Sequence, residues 1–206
     1  EKAAELESYN CTVLIRQTDY DREEQLAAID ELLSEGINGL ALSPYNANAV
    51  RRKINELYEK NIPVVTLNTD IENSRRIAYV GCHYFRSGQT AAGLMRLMTS
   101  GQVYTGIISG SGNVLCHTER IAGFKDGIKN CENIHISATI TNQDDDFESY
   151  EMTARLLKSH PEINALYFTA GGVYGGCRAV IESGRQYDIK IFTYDLVETT
   201  IKLIEN

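Results

Sequence analysis

The feature that most constrains the fold of this chain is a regular alternation between short β-type runs and longer helical patterns. Runs rich in β-branched residues, such as Pro63–Leu67 and Val103–Ile108, are typical of buried strands. The segments between such runs space their apolar residues by three and four positions, as in Glu23–Glu35, which is typical of helices with one buried face. Strands that alternate with helices in this way form βαβ units. The sequence therefore predicts an α/β fold built from parallel sheets.

The alternation can be followed along the chain and occurs twice. The first half is predicted to contain strands at 12–15, 39–43, 63–67 and 77–80, and helices at 23–35, 49–60 and 88–98. The second half is predicted to contain strands at 103–108, 134–140, 165–169 and 189–194, and helices at 118–130, 147–159, 172–183 and from 197 onward. This predicts two similar lobes, residues 1–101 and 102–206, each a parallel sheet flanked by helices, with a ligand cleft between them. We also expect the chain to be a fragment, because residues 1–9 resemble the tail of a helix and the last helix has no stop signal.

The charge of the chain limits which partners it can bind, and its cysteines indicate in which compartment it works. The net charge is −8 at pH 7, and nucleic-acid phosphates require clustered basic side chains, so we expect no nucleic-acid contact by this segment itself. No apolar run approaches the roughly 18 residues of a membrane span, and we expect no membrane partner. The chain has five cysteines without paired spacing, which favours a reducing compartment, and we predict a cytoplasmic location.

One arginine is placed where α/β proteins bind ligands. The strand predicted at 103–108 ends in the small-residue turn 109–113, and a helix is predicted to begin near Thr118. Arg120 would then lie in the first turn of that helix, just beyond the carboxyl end of the strand. Ligands of open α/β sheets bind in this position, so Arg120 is a candidate binding residue. A solvated arginine on a helix surface is the alternative.

The sequence contains no pattern that predicts catalysis. Two Cys-His pairs, Cys82-His83 and Cys116-His117, are predicted to lie in loops that face the same cleft, and thiolate with imidazole could bind zinc. Neighbouring side chains of an extended segment point in opposite directions, however, which favours polar cleft lining and small buried thiols instead. No motif fixes a general base or an oxyanion hole. We therefore predict no enzyme activity, no catalytic residues, no metal and no cofactor.

Four landmarks, in this order, resemble the type I periplasmic-binding-protein fold over essentially the whole chain. They are Ile62–Asn68, Tyr79–Gly81 with Gly88 seven residues later, Arg120–Phe124 and Thr193–Asp195. Bacterial sugar-binding proteins and the effector domains of lactose-repressor (LacI) family regulators share this fold. The resemblance implies that the first strand of the family lies before this chain.

The resemblance also implies which residues bind a ligand. The arginine of the Arg-x-x-Gly-Phe pattern binds the ligand in this family, as does an aspartate that ends a later strand. A further ligand-facing residue is implied in the acidic loop 144–147. Other positions depart from the family, because this chain has Asn68-Thr69 and His83-Tyr84 where family members often have Asp-Arg and Asp-Asn. The predicted ligand-binding residues are Arg120, Asp195, Asp144, His83, Asn68 and Tyr84.

Two functional hypotheses follow from the resemblance. The first is the effector-sensing domain of a LacI-type transcription regulator, which would bind a sugar or sugar derivative, form a homodimer and contact DNA only through a helix-turn-helix before residue 1. The alternative is an extracellular sugar-binding protein of an ABC transporter. The unpaired cysteines favour the regulator, whereas a signal peptide upstream would favour the transporter.

Overall fold

The structure is a computed structural model that describes residues 10–19, 21–112 and 114–205. The chain divides into two compact units, the first up to Gly81 and the second from Cys82. Both units are α/β, and every strand pair in the described residues is parallel. The predicted fold class is confirmed.

In its described residues, the first unit is a three-stranded sheet with strand order β1-β2-β3 and two helices. Helix α1 begins after Asp21, whose carboxylate accepts hydrogen bonds from the backbone of Glu23 and Glu24, and it ends before Gly36, which has the left-handed φ of 81° expected of a helix stop. The elements are α1 (Arg22–Ser34), β1 (Leu40–Leu42), α2 (Asn48–Glu59), β2 (Val64–Leu67) and β3 (Ala78–Val80). The core is formed by Ile29, Leu42, Val50, Ile54, Leu57, Val64 and Ile71.

The strand predicted at residues 12–15 is wrong. This segment contains no strand, and the side chains of Val13 and Ile15 are 44% and 75% exposed. Among the described residues of the first unit, β1 pairs only with β2, and no strand pairs with the segment. A β-branched run becomes a strand only when a neighbour completes its hydrogen bonds. The helix tail predicted at 1–9 lies outside the described residues.

The second unit is a four-stranded parallel sheet with strand order β5-β4-β6-β7 and five helices among its described residues. Its helices are α3 (Tyr84–Met98), α4 (Leu115–Ile128), α5 (Asp146–Ser159), α6 (Val173–Glu182) and α7 (Glu198–Glu205). Its strands are β4 (Val103–Ser109), β5 (Ile134–Thr141), β6 (Ala165–Phe168) and β7 (Lys190–Phe192). None of the helices in the described part of the chain is long and apolar enough to cross a membrane.

The sheet of the second unit is covered on both faces, as parallel sheets require. All four residues of β6 are buried. On one face Tyr167 packs with Phe124 of α4 and Met95 of α3, and on the other Leu166 packs with Leu156 of α5. Strand β6 therefore lies between two apolar layers of side chains. These layers hold the strand in place, so the loop after its carboxyl end has a fixed position at the edge of the sheet.

Helices α3 and α4 approach each other closely because small residues face each other. A Cβ atom added to Gly88 would lie 2.0 Å from the carbonyl oxygen of Arg120, and one added to Gly123 would lie 1.8 Å from that of Phe85. This contact places α3 in the second unit. The division of the structure thus falls at residues 81 and 82, before α3, whereas the sequence predicted it at 101 and 102.

Candidate functional site

Polar side chains gather at the carboxyl edge of the sheet in the second unit, where parallel sheets bind ligands. Ser109 ends β4, Asn142 follows β5 and Thr169 follows β6, and all three are buried. The hydroxyl of Thr169 donates to that of Ser109 at 3.1 Å, and the amide of Asn142 donates to the carbonyl of Gly171 at 2.9 Å. These hydrogen bonds join the loops after three neighbouring strands into one platform.

Arg120 lies on this platform. Helix α4 begins at Leu115, three residues before the predicted start, so Arg120 is in its second turn rather than its first. Nη1 donates to the carbonyl oxygen of Thr169 at 2.7 Å. The guanidinium lies over the ring of Tyr194 at 3.9 Å from the centroid and that of Tyr84 at 4.9 Å. We call these three side chains, Tyr84, Arg120 and Tyr194, the arginine stack.

The stack leaves a buried donor of Arg120 without a partner. Nε is buried and has no hydrogen-bond partner among the described residues. A buried donor without a partner costs about 1–3 kcal/mol, and an oxygen on a bound ligand would offset that cost. The guanidinium is therefore fixed in orientation by its rings and by Thr169 while keeping unsatisfied capacity to bind.

A pair of tyrosine hydroxyls links the stack to the core, with Tyr167 buried and Tyr194 half-buried. Tyr194 donates from its hydroxyl to the carbonyl of Ser87 at 3.0 Å, so the 2.7 Å contact between the Tyr167 and Tyr194 hydroxyls has Tyr167 as the donor. Burial, followed by the hydrogen bond to Tyr194, raises the pKa of Tyr167 far above its usual value. Tyr167 stays neutral at any physiological pH and acts as a fixed donor.

Asp144 lies on the platform opposite α4. It has a left-handed φ of 61°, and its Oδ1 accepts a hydrogen bond from the backbone of Gly171 at 2.7 Å. Its Oδ2 lies 3.7 Å from Nε2 of His117. The next residue, Asp145, caps α5 through the backbone of Glu148, in agreement with the helix start predicted for this acidic run. Asp146 accepts a hydrogen bond from the backbone of Gly175 at 3.1 Å, so all three aspartates of the run accept backbone hydrogen bonds, and the ligand role of Asp144 stays a prediction.

Asp195 follows the arginine stack in sequence. The strand predicted to end at 194 ends at Phe192, so Asp195 lies in the loop before α7 and not at a strand end. Its φ is 64°, its carbonyl accepts a hydrogen bond from Oγ1 of Thr200 at 3.1 Å, and the residue is exposed. The loop therefore presents an exposed carboxylate one residue after a ring of the stack.

The other predicted site residues lie in three different environments. Tyr84 is buried and contacts Arg120 as a ring of the stack. His83 is exposed and caps α3, its Nδ1 accepting a hydrogen bond from the backbone of Arg86 at 3.4 Å. Asn68 belongs to the first unit, has a φ of 59°, and accepts a hydrogen bond on its carbonyl from the hydroxyl of Tyr79 at 2.9 Å. The structure thus brings Arg120, Tyr84 and Asp144 to one platform, and the ligand roles of all six residues stay predictions.

His117 was not among the predicted ligand-binding residues. It lies in the first turn of α4, not in a loop as predicted for the Cys116-His117 pair, and it is only 5% exposed. Its Nδ1 lies 2.9 Å from the same Thr169 carbonyl that Arg120 binds. The signal in the sequence was its spacing of three residues from Arg120, which places both side chains on one helical face.

The two Cys-His pairs have different surroundings. Cys82 and His83 are exposed, whereas Cys116 and His117 are buried. Burial raises the pKa of the Cys116 thiol, which disfavours the thiolate that zinc and nucleophilic chemistry require. Within the described residues, no three side chains of the metal-binding types form a cluster.

A helix-flanked parallel sheet with polar loops at its carboxyl edge defines a ligand-binding α/β protein. The comparison with known families is more specific, because residues 1–206 match the family described as periplasmic binding protein domain. The chain belongs to this family. The predicted type I periplasmic-binding-protein fold is confirmed.

Relatives show what this family includes. The ribose import binding protein RbsB of Escherichia coli is 21% identical over 198 residues, which cover 95% of this chain and 65% of that protein. The solved XylFII–LytSN complex is similar with a TM-score of 0.91 and 30% identity, covering 99% of this chain and 76% of the other. GanP, a glucose-galactose binding protein from Geobacillus stearothermophilus, has a TM-score of 0.88 and 28% identity, covering 98% and 73%. The chain therefore spans less than two thirds of the length of the curated relative.

These relatives correct two predictions. The predicted cytoplasmic location is wrong. The chain belongs to a family of periplasmic binding proteins, and its relative RbsB is named as an import binding protein, which binds its sugar before import. The LacI-type regulator is not supported, since the relatives are named as sugar-binding proteins. The cysteine argument was too general, because Cys116 and Cys177 are buried, and a buried thiol can remain unpaired in any compartment.

Proposed function

We propose that this chain is the greater part of a sugar-binding protein that works outside the cytoplasm and delivers a sugar to an ABC importer. The observation that carries the proposal is the arginine stack, in which Arg120 is fixed between two rings and a carbonyl with its Nε still unpaired. The relatives named for ribose and for glucose and galactose support the same class of ligand.

The chemistry of the platform suits a sugar. Arg120 offers only donors in a rigid fork, whereas Asp144 and Asp195 offer only acceptors when ionised. Each hydroxyl of a sugar both donates and accepts, so neighbouring hydroxyls can be bound by an arginine on one side and a carboxylate on the other. Because the charges of Arg120 and Asp144 on the platform balance, we expect a neutral pentose or hexose.

A sugar panel tests the proposal. Calorimetric titration and melting curves with D-ribose, D-xylose, D-glucose, D-galactose and D-glucuronate should show one neutral sugar that binds and raises the melting temperature. Arg120→Lys keeps the charge but loses the fork, and we expect it to weaken binding of that sugar by about tenfold or more. If no neutral sugar binds the wild type, or if Arg120→Lys binds as well as the wild type, the proposal is wrong.

The oligomeric state provides a second measurement. A homodimer was predicted because a regulator would bind paired DNA half-sites, and that reason does not apply to a transport binding protein. We therefore expect the full-length protein to sediment as a monomer with and without sugar. A stable dimer at micromolar concentration would return the regulator to consideration.

A further inference from the structure

We propose that Tyr79 is a positioning residue, whose hydroxyl holds Asn68 in a backbone conformation that Asn68 would otherwise leave. Because Asn68 is one of the residues predicted to bind the sugar, this role of Tyr79 rests on the proposed sugar-binding function. Both residues belong to the first unit, where Asn68 follows β2 at the carboxyl edge of the parallel sheet.

The backbone at Asn68 is strained. Its φ is 59°, in the left-handed region that residues other than glycine enter only at a cost. The N–H of Thr69 donates to the carbonyl of Leu67 at 2.6 Å, which closes a three-residue γ-turn with Asn68 at its centre. A γ-turn with a positive central φ is rare and strained, so contacts from outside the turn must hold it.

Strand β3 supplies such contacts. The N–H of Asn68 donates to the carbonyl of Val80 at 3.0 Å, and the carbonyl of Asn68 accepts a hydrogen bond from the hydroxyl of Tyr79 at 2.9 Å. The bond to Val80 continues the pairing of β2 with β3, in which Leu67 lies opposite Val80, and it needs no particular side chain. The bond from Tyr79, in contrast, depends entirely on one hydroxyl group.

Gly81 leaves room for the tyrosine ring. A Cβ atom added to Gly81 would lie 2.2 Å from the hydroxyl oxygen of Tyr79 and 2.5 Å from its Cζ. Non-bonded atoms do not come closer than about 3 Å, so a side chain at position 81 would displace the ring. Tyrosine can turn away about its side-chain bonds, and its hydroxyl would then leave the carbonyl of Asn68. The glycine is therefore required for the same hydrogen bond.

The loop after the turn is held by other contacts. The carboxylate of Asp70 accepts a hydrogen bond from Oγ1 of Thr66 at 2.7 Å and forms an ion pair with Arg76. The next side chain, Ile71, is 2% exposed and belongs to the core of the first unit. These contacts remain when the Tyr79 hydroxyl is removed, so the change is confined to the strained turn.

Removal of the hydroxyl alone tests the role of Tyr79. Molecules in which Asn68 has left the turn conformation cannot use its side chain on the sugar, so the measured affinity falls with the population that remains competent. We expect Tyr79→Phe to bind the sugar that stabilises the wild type about fivefold more weakly in calorimetric titration. Tyr58→Phe is the matched control, because the ring of Tyr58 lies 3.8 Å from Cζ of Arg75 and phenylalanine keeps that contact. The control should bind as the wild type does.

Double-mutant cycles show whether Tyr79 acts through Asn68. Asn68→Gly removes the side chain and suits the left-handed φ. In that background Tyr79→Phe should change sugar affinity by less than about 1.5-fold, because no side chain remains to be positioned. Gly81→Ala should weaken binding about as much as Tyr79→Phe, and the two together should weaken it no more than either alone. An equal loss from Tyr79→Phe with and without the Asn68 side chain overturns the proposal, as do additive losses from Tyr79→Phe and Gly81→Ala.

A measurement without ligand keeps this test independent of the sugar assignment. In nuclear magnetic resonance spectra, the three-bond coupling between the amide and α protons of Asn68 reports its φ. This coupling should change in Tyr79→Phe and stay at the wild-type value in Tyr58→Phe, with melting curves to show that each variant folds. An unchanged coupling in Tyr79→Phe overturns the proposal whichever sugar binds. If the coupling changes while no sugar of the panel binds, the positioning role stands and only the proposed function fails.

Discussion

Gly88 of α3 lies against the backbone of α4, so we expect Gly88→Ala to force the two helices apart. The added Cβ would lie 2.0 Å from the carbonyl oxygen of Arg120 and 2.7 Å from the amide nitrogen of Phe124. Both neighbours are backbone atoms and cannot rotate away, as the end of a side chain could. Non-bonded atoms of this kind do not come closer than about 3 Å, so α3 would have to move by about 1 Å and loosen its buried contacts.

The energetic cost follows from how tightly the helices pack. Overpacking a well-filled core typically costs about 1–3 kcal/mol, and a backbone obstacle belongs at the upper end of that range. We expect the free energy of unfolding of the second unit to fall by about 3 kcal/mol, or its melting temperature by about 10 °C. Sugar affinity should also fall, because the displaced carbonyl belongs to Arg120.

Gly93 provides a matched control in the same helix. A Cβ atom there meets nothing within 4 Å. Replacing a helical glycine by alanine at an open position stabilises a protein by about 0.5–1 kcal/mol, since the unfolded chain loses conformational freedom. The same chemical change five residues away should therefore have the opposite sign. Urea unfolding followed by circular dichroism measures both, and a Gly88→Ala variant as stable as Gly93→Ala would refute the close helix contact.

Three further results are expected. Burial raises the pKa of Cys177 to about 11. A thiol reagent at pH 8 should therefore label the exposed Cys11 and Cys82 before Cys177. The buried thiol stabilises the fold only while it is protonated, so this contribution should be lost as the pH rises from about 9 toward 11. Tyr167→Phe removes the donor to the Tyr194 hydroxyl and should lower the free energy of unfolding by about 1 kcal/mol in urea titration; an unchanged value would mean that this bond contributes nothing. Asp195→Asn should weaken sugar binding by about tenfold in calorimetry without changing the melting temperature, because Asp195 is exposed.

The sequence predicted strands well where their pattern reflects burial on both faces. The run at 103–108 became β4 with one added residue, and 165–169 became β6, because continuous apolar runs in parallel sheets are buried irrespective of their exact partners. The segment 12–15 is also rich in apolar and β-branched residues, but no strand of the described residues pairs with it. Strand formation depends on a neighbour, which a local pattern does not include.

Helix starts were less predictable, and this affected the site. Thr118 and Glu119 suggested a start, but α4 begins at Leu115 after Val114, which makes no side-chain cap. Capping side chains are favourable rather than required, so tertiary contacts decided this helix start. The earlier start adds His117 to the helix and makes it a neighbour of Arg120. A contact between α4 and the loop holding Asp144 joins distant parts of the sequence, and no local pattern could have predicted it.

Three of the predicted ligand-binding residues share a backbone conformation that their side chains do not favour. Asn68, Asp144 and Asp195 have φ values of 59°, 61° and 64°. Aspartate and asparagine enter the left-handed region more readily than other residues, yet each such position still costs free energy relative to glycine. At Asp144 the hydrogen bonds from Gly171 and to Asn142 hold the turn, and at Asp195 the bond from Thr200 does. A glycine would satisfy the backbone in all three loops but would lose the hydrogen bond that Asp144 accepts from Gly171, so the ligand role of these three side chains stays a prediction.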